Sequence, residues 1–206
     1  MSEILHIIVL AAGASSRMAP RDKLLENVGG QPLLARITRF ALETTCPVTV
    51  VLPTDRPLRN AAIAGLPVQR VFAEKARDGM AESIKAGVGA TPDSASLLLV
   101  LADLPEIDLQ DFETMISAWK SDPSAIFQGC SATGIPGHPV IIPAHLRSNL
   151  QDLTGDIGAK PVLKAHQTIV RQVPLPTDHA ITDLDTPEAW DIWRKSQAMV
   201  SGAKGA

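Results

Sequence analysis

The sequence predicts a single-domain α/β fold in which helices cover both faces of a mainly parallel, twisted sheet. Residues 4–10 and 97–102 are continuous apolar runs, which are typical of strands buried on both sides. Segments with apolar residues at helical spacing alternate with these and other short strand-like runs, the pattern that builds parallel sheets. The 206 residues fit one domain, and no repeat or linker interrupts them.

The first half of the chain predicts three strands and three helices. The run at 4–10 is the first strand, and residues 11–30 form a loop. Apolar side chains then recur at helical spacing, at Leu33, Leu34, Ile37, Phe40 and Ala41. Strands are expected at 48–52 and 68–72, with a short helix at 58–64 between them. A helix is expected at 79–89, with Asp78 as its N-cap.

The second half continues the alternation after the strand at 97–102. Asp108 and Asp111 open a helix over 109–120, and short strands at 125–127 and 140–142 flank a Gly- and Pro-rich loop. A helix at 157–166 and a strand at 169–173 follow. Thr186 caps a last helix that has Pro187 at its first position. The domain therefore covers residues 1–198, and residues 199–206 are expected to form a disordered tail.

Composition excludes several classes of function. The net charge of −3 arises from 19 basic and 22 acidic residues, which gives no electrostatic reason to bind nucleic acid or an anionic membrane. Three Trp, four Phe and no Tyr argue against a stacking platform for single strands. Cys46 and Cys130 are distant and form no CxxC, so we expect free thiols in a reducing compartment and a cytoplasmic location.

Ligands of open α/β sheets bind at the carboxyl ends of the strands, so the loop after the first strand is the first candidate site. Its residues are small and let a backbone approach phosphate oxygens: Leu10, Ala11, Ala12, Gly13, Ala14, Ser15 and Ser16. Arg17 offers a planar fork for phosphate and Lys23 a point charge. The alternative is a surface loop with two solvated cations. Neither GxxxxGK[ST] nor GxGxxG is present, which excludes a Walker-type NTPase and an obvious dinucleotide binder.

Two acidic positions complete the candidate site. Asp103 follows the apolar strand at 97–102, where a carboxylate needs a cationic partner, and Mg²⁺ is a natural one beside phosphates. The alternative for Asp103 is a cap on the turn before Pro105. Asp183 and Asp185 lie two residues apart and point the same way on an extended chain. Either could supply a second carboxylate ligand for the metal. The alternative is that both act only through favourable electrostatics at the N-terminus of the last helix.

Taken together, these segments resemble the nucleotidyltransferases that modify the molybdenum cofactor, within the glycosyltransferase-A-like, Rossmann-like group. The family opens with a pattern similar to LAAGxSxRMGxxxKLL, here LAAGASSRM with KLL at 23–25. Further matches are GMAESI at 79–84, LADLP at 101–105, GHPV at 137–140, GDIGAK at 155–160 and DLDTP at 183–187. The resemblance covers nearly the whole chain in the family's order. Ala19 departs from it, since the family usually has Gly after Arg-Met.

The resemblance implies a magnesium-dependent nucleotidyltransferase domain and a role for each candidate residue. The loop from Ala11 to Ser16 would hold the nucleotide, with Gly79 and Ser83 touching it from a helix N-terminus. Arg17 and Lys23 would neutralise the triphosphate and the leaving pyrophosphate. Catalytic Asp103 would bind Mg²⁺, with Asp185 as the second ligand. His138 and Lys160 face the acceptor side in the family pattern, although a structural imidazole and a solvated lysine are the alternatives.

The resemblance also bears on the two substrates. Related guanylyltransferases carry Gly-Gly in the loop, and the methyl of Ala12 would narrow the base pocket and favour CTP. The expected reaction is transfer of CMP from CTP to molybdopterin-type molybdenum cofactor, with a target molybdoenzyme as a further partner. Guanylyl transfer, cytidylyl transfer to another phosphorylated small molecule, and a non-catalytic cofactor carrier remain the alternatives.

Overall fold

The computed structural model describes residues 4–203, and a seven-stranded sheet forms its centre. The strands in this range are β1 (Ile4–Leu10), β2 (Asn27–Val28), β3 (Gln31–Pro32), β4 (Val48–Pro53), β5 (Gln69–Ala73), β6 (Ala95–Leu101), β7 (Ile126–Cys130), β8 (Pro136–Ile142) and β9 (Val170–Pro174). The helices are α1 (Leu33–Glu43), α2 (Pro57–Ala62), α3 (Met80–Gly89), α4 (Leu109–Ser121), α5 (Lys160–Ala165) and α6 (Pro187–Ala203).

The strand order across the sheet is β5-β4-β1-β6-β8-β7-β9, and every pairing is parallel except those of β8. Strand β8 runs against both β6 and β7. The small strands β2 and β3 form a separate antiparallel hairpin. The predicted α/β class with a mainly parallel sheet is therefore confirmed.

Two apolar layers cover the two faces of the sheet, and β1 contributes side chains to each of them. Ile7 and Val9 join the layer that contains side chains of α1, α4 and α6, whereas Ile8 and Leu10 join the layer under α3 and α5. All four side chains are buried, as the uninterrupted apolar run predicts for a central strand. The helices thus lie on both faces of the sheet.

Several boundaries differ from the sequence-based expectation. The helix predicted over 157–166 begins at Lys160, because Gly155 and Gly158 have positive φ angles that end regular structure before it. The expected N-cap Asp78 lies in a short 3₁₀ turn, and Gly79 is the cap residue of α3 instead. The side chain of Asp156, 76 positions away, accepts a hydrogen bond from the backbone N–H of Met80 at the start of the helix.

Other helix starts match their signals. Asp108 and Asp111 form a capping box at α4, in which each side chain accepts from the other residue's backbone N–H. Thr186 Oγ1 accepts from the N–H of Ala189 at the start of α6. That helix continues to Ala203, so the predicted tail is helical to that point, and residues 204–206 lie outside the described residues.

The loop expected at 11–30 has more structure than its composition indicates. It contains two 3₁₀ turns, Ser16–Met18 and Lys23–Leu25, and the β2–β3 hairpin. Cys46 and Cys130 are both free thiols, as predicted. Within residues 4–203, none of the helices has the length and apolar character needed to span a membrane.

Gly79 offers a direct test of how α3 is seated. Its φ of 126° and ψ of 169° belong to a region essentially restricted to glycine, and a Cβ there would lie 2.5 Å from the Gly155 carbonyl oxygen. We expect Gly79→Ala to lower the free energy of unfolding by about 1–3 kcal/mol, measured by urea denaturation. Gly89→Ala is the matched control at the other end of α3, where a Cβ meets nothing within 4 Å. Equal stability of the two variants would contradict this account.

Candidate active site

The candidate site lies at the carboxyl ends of β1 and β6, which are paired in parallel. Leu10 is in register with Leu101, and the N–H of Ala102 donates to the Leu10 carbonyl at 3.1 Å. The small-residue loop therefore leaves the sheet beside Asp103. The structure thus brings together two candidates that are more than 80 positions apart in the sequence.

Lys23 is the centre of the charged part of the site. Its Nζ lies 2.6 Å from Asp103 Oδ2, 2.6 Å from Asp185 Oδ1 and 3.2 Å from Asp183 Oδ1. Only 12% of the Lys23 side chain is exposed. Arg17, which is 69% exposed, forms a second ion pair with Asp185. All the charged residues assigned to catalysis and metal binding on the nucleotide side therefore form one network.

The network shifts the pKa values of its members in opposite directions. Burial alone would lower the pKa of Lys23, but the facing carboxylates, Asp103 first, raise it above its ordinary value. Burial would raise the pKa of Asp185, but its bond to Lys23 lowers it overall. The pKa of Asp183 is raised by burial and by the neighbouring charge of Asp103.

Three cavities adjoin one another along this edge of the sheet. A cavity of about 540 Å³ and one of about 270 Å³ share Ala12, Gly13, Ala14 and Arg77 as lining residues. The third cavity, of about 460 Å³, shares Met80 and Asp156 with the second. The three volumes form a trough, and Lys23 and Asp103 line its middle section.

The predicted nucleotide-binding residues occupy different places around this trough. Those that line it are Leu10, Ala12, Gly13, Ala14, Ser16 and Ser83. Ala11 packs into the core layer under α1, and Ser15 Oγ accepts from the N–H of Lys23 at 3.0 Å. Gly79 packs against Gly155, where its close approach seats α3. These last three residues therefore support the trough, and none of them lines it.

Gly13 shows why small residues occur in this loop. Its backbone has an ordinary negative-φ conformation, and a Cβ there would meet no described atom within 4 Å. Neither backbone strain nor core packing therefore requires glycine at this position. The space beside Gly13 belongs to the trough, so a small residue leaves room for a ligand at the backbone.

The third cavity contains both residues predicted to face an acceptor. His138, near the start of β8, and Lys160, at the start of α5, line it together with Gln128 and Asp183. Burial lowers the pKa of His138, and the charge of Lys160 acts in the same direction. The His138 Nδ1 atom is buried and has no hydrogen-bond partner within residues 4–203. A ligand in this cavity would supply the missing partner.

Arg59, which the sequence does not mark as a site residue, is completely buried beneath the loop. Its guanidinium forms a two-point ion pair with Asp22 and donates to the carbonyls of Ala11 and Gly13. No pattern in the sequence marks this residue, because two of its partners are backbone atoms and the third is 37 positions away.

The acidic network fits a divalent cation. Asp103 Oδ1 is buried and lacks a hydrogen-bond partner in the described chain, although its other oxygen meets Lys23. Carboxylate oxygens are the ligands that Mg²⁺ and Mn²⁺ prefer. A second cluster, Asp108, Asp111 and His179, has ligand atoms within 4.8 Å of one another. There the capping box and a 2.8 Å bond from His179 to Asp111 already account for the geometry.

This fold and this site define an α/β protein of the nucleotidyltransferase class. Residues 7–170 match the family described as the MobA-like NTP transferase domain, and the chain belongs to that family. Family membership confirms the broad part of the predicted resemblance. The molybdenum-cofactor branch within it remains a prediction.

Curated relatives share part of this chain. The bifunctional protein GlmU of Alkalilimnicola ehrlichii is 33% identical over 120 residues, which are 57% of this chain and 26% of that protein. GlmU of Xanthomonas campestris pv. campestris is 29% identical over 116 residues, covering 55% and 26% of the two chains. The chain therefore spans about a quarter of the length of the curated relatives it matches.

Solved structures share the fold over almost the whole chain. Rv0371c from Mycobacterium tuberculosis H37Rv has a TM-score of 0.77 at 23% identity, with 95% of this chain and 98% of that chain covered. A complex of Rv0371c with manganese has a TM-score of 0.73 at 20% identity, with the same coverage of the two chains. CMP:2-keto-3-deoxy-manno-octonic acid synthetase complexed with CTP has a TM-score of 0.74 at 14% identity. The match covers 96% of this chain and 99% of that chain.

The Lys23 network generates a pH-dependent prediction. We expect Lys23→Met to lower the free energy of unfolding at neutral pH by about 1.5–3 kcal/mol, because charged hydrogen bonds to a largely buried ammonium are lost. The lowered pKa of Asp185 means that this stabilisation is present above the ordinary aspartate value of 3.8 and is lost as pH falls through the folded-state value. The difference between wild type and variant should therefore shrink as the pH falls below 3.8.

Urea unfolding at several pH values measures this difference. Arg17→Met is the control, since an ion pair of a 69% exposed side chain contributes about 0–1 kcal/mol. If the difference in free energy of unfolding between wild type and Lys23→Met stays constant from neutral pH into the acid range, the carboxylates do not have the proposed role.

Proposed function

We propose that this protein transfers CMP from CTP to the terminal phosphate of molybdopterin-type molybdenum cofactor and releases pyrophosphate. The observation that carries the proposal is that the Lys23 network reaches two differently lined cavities, since Lys23 and Asp103 line the middle one and Asp183 lines the third. We assign the reaction to the single nucleotidyltransferase domain predicted at 1–198 and place it in the cytoplasm, where the free thiols of Cys46 and Cys130 persist.

The nucleotide belongs in the two cavities that adjoin the small-residue loop. Family membership supports an NTP as substrate, and the related fold of a synthetase complexed with CTP supports a pyrimidine nucleotide. Ala12 is buried and lines both cavities, so its methyl group limits the space available to a base. Arg17 and Lys23 supply the positive charge that a triphosphate requires.

The acceptor belongs in the third cavity, whose lining is mainly apolar. Its walls include Leu104, Ile135, Ile157 and Leu163, and its cation is Lys160. A sugar or polyol phosphate presents many hydroxyl groups, which need hydrogen-bond partners when they are buried. A flat ring system can lie against these walls while the polar groups at its edge meet His138 and its phosphate meets Lys160, which supports a molybdopterin-type acceptor over a polyol.

The mechanism follows from the charges that this chain provides. An acceptor phosphate held by Lys160 is already ionised, so its oxygen attacks the α-phosphorus in line without a protein base. Lys23 and Arg17 exchange their carboxylate partners for phosphate oxygens and stabilise the departing pyrophosphate. Bound by Asp103 and Asp185, Mg²⁺ would neutralise charge on the phosphates. The apolar walls limit access of water to the reacting phosphates.

Pyrophosphate release tests the proposal directly. Each of the four NTPs is offered with and without purified molybdenum cofactor, and release is expected only with CTP and cofactor together. Release with GTP would indicate guanylyl transfer, and release with CTP and another phosphorylated acceptor would indicate a different cytidylyltransferase. Cofactor binding without turnover of any NTP would indicate a non-catalytic carrier.

Asp103 and Asp185 should be the residues most important for the metal. We expect Asp103→Asn to keep the fold but to lower turnover by on the order of 100-fold, because a neutral amide is a poor ligand for a hard cation. Mn²⁺ binding, followed by electron paramagnetic resonance, should weaken in parallel. Asp185→Asn should show the same effect, whereas Asp183→Asn, at the more exposed edge of the network, should show less. Normal Mn²⁺ affinity in Asp103→Asn would refute the assignment.

Ala12 should contribute to the choice of base. We expect Ala12→Gly to shift discrimination towards GTP by about 1–3 kcal/mol, measured as the ratio of kcat/KM for CTP and GTP. Ala11→Gly is the matched control, because it loosens the same loop while its side chain packs into the opposite core layer. If both variants keep the wild-type ratio, the base is recognised elsewhere.

A further inference from the structure

A buried arginine on α2 holds the nucleotide side of the trough from behind. Arg59 has no exposed surface and lines none of the three cavities. Its Nη1 donates to the Ala11 carbonyl at 2.7 Å and to the Gly13 carbonyl at 2.8 Å. Ala12 and Gly13 line both nucleotide-side cavities. Arg59 therefore fixes the backbone of the loop from the side that a ligand does not contact.

The same guanidinium also fixes the segment that carries Lys23. Arg59 Nε and Nη2 donate to the two carboxylate oxygens of Asp22 at 2.8 and 2.9 Å. The Asp22 side chain in turn accepts from the N–H of Leu24 and caps the turn Lys23–Leu25. One planar group thus sets the spacing between the loop at 11–13 and the lysine at the centre of the network.

Arg59 differs in this respect from Arg147, the other buried arginine of the described residues. Arg147 donates to the carbonyls of Val88, in the last turn of α3, and of Thr91 and Pro92, which follow that helix. None of these residues lines the trough. Both residues satisfy backbone carbonyls in a buried setting. Only Arg59 joins two segments that line the trough, so its position and the geometry of the trough are linked.

We propose that Arg59 and Asp22 are positioning residues for nucleotidyl transfer, which act through the loop at 11–13 and through Lys23 without touching the substrate. This inference rests on the proposed function, since it assumes that a nucleotide occupies the trough. The arrangement requires the planar fork of arginine, because a lysine ammonium cannot bond both carboxylate oxygens and two carbonyls at once. A small displacement of Lys23 reduces the stabilisation of charge that develops in the transition state.

Arg59→Lys tests the inference, with Arg147→Lys as the matched control. After folding is verified by circular dichroism and urea unfolding, kcat and KM for CTP are measured with purified molybdenum cofactor. We expect Arg59→Lys to lower kcat by on the order of 100-fold with a smaller change in KM, the effect typical of misplaced catalytic groups. Arg147→Lys should keep wild-type kcat even if it is less stable. Asp22→Asn preserves the shape of the pair and should act in the same direction if Arg59→Lys does not fold.

A double mutant shows whether the effect passes through Lys23. In a Lys23→Met background, the loss caused by Arg59→Lys should shrink, because residues that act through one another are not additive. Equal kinetic losses in Arg59→Lys and Arg147→Lys, or full additivity with Lys23→Met, would overturn the positioning role while leaving the enzyme intact. A wild-type protein that neither binds nor turns over any NTP would overturn the proposed function, and this inference with it.

Discussion

The parallel pairing of β1 with β6 is the constraint on which the rest of the molecule depends. Seven residues of β1 are in register with β6, from Ile4 opposite Ala95 to Leu10 opposite Leu101. Since side chains alternate along a strand, a slip by one residue would exchange the two apolar layers of the core. The same register brings the small-residue loop and Asp103 to one edge. The packing of the core and the geometry of the site are therefore fixed by one set of backbone hydrogen bonds.

Charge balance is the second organising feature of the site. Three carboxylates, Asp103, Asp183 and Asp185, face two cations, Lys23 and Arg17. Carboxylates that lie this close repel one another unless cations separate them, and Lys23 serves that purpose from a largely buried position. Each charged group already has a partner within the chain, so an anionic ligand has to exchange partners rather than add to them.

Much of the fold could be predicted because its signals are local. Continuous apolar runs identified β1 and β6, and helical spacing identified α1. The cap of α4 was evident because Asp108 and Asp111 are three residues apart. Asp78 was wrongly expected to cap α3, since the residue that bonds Met80 is Asp156, whose position no local pattern reveals.

The candidate site was predictable where side chains themselves carry the chemistry. Lys23, Asp103 and the pair Asp183 and Asp185 were proposed from residue type and position, and the resemblance selected Asp185. The structure brings all four together. Arg59 was not found, because a short polar helix gives no indication that one of its arginines is buried under a loop. Packing that depends on distant backbone atoms, as at Arg59 and Gly79, is where sequence reasoning reaches its limit.

The reversed direction of β8 has a consequence for how this protein can diverge. Because β8 runs against its neighbours, its first residues, including His138, reach the same edge as the last residues of β6. The third cavity is therefore built mostly from residues 128–183, whereas the two cavities beside the small-residue loop come mostly from residues 10–103. Mutations between residues 128 and 183, other than at the shared Asp156, can therefore change the shape of the third cavity without altering the residues that line the other two. Under the proposed function, a change of acceptor would leave the residues that hold the nucleotide unchanged.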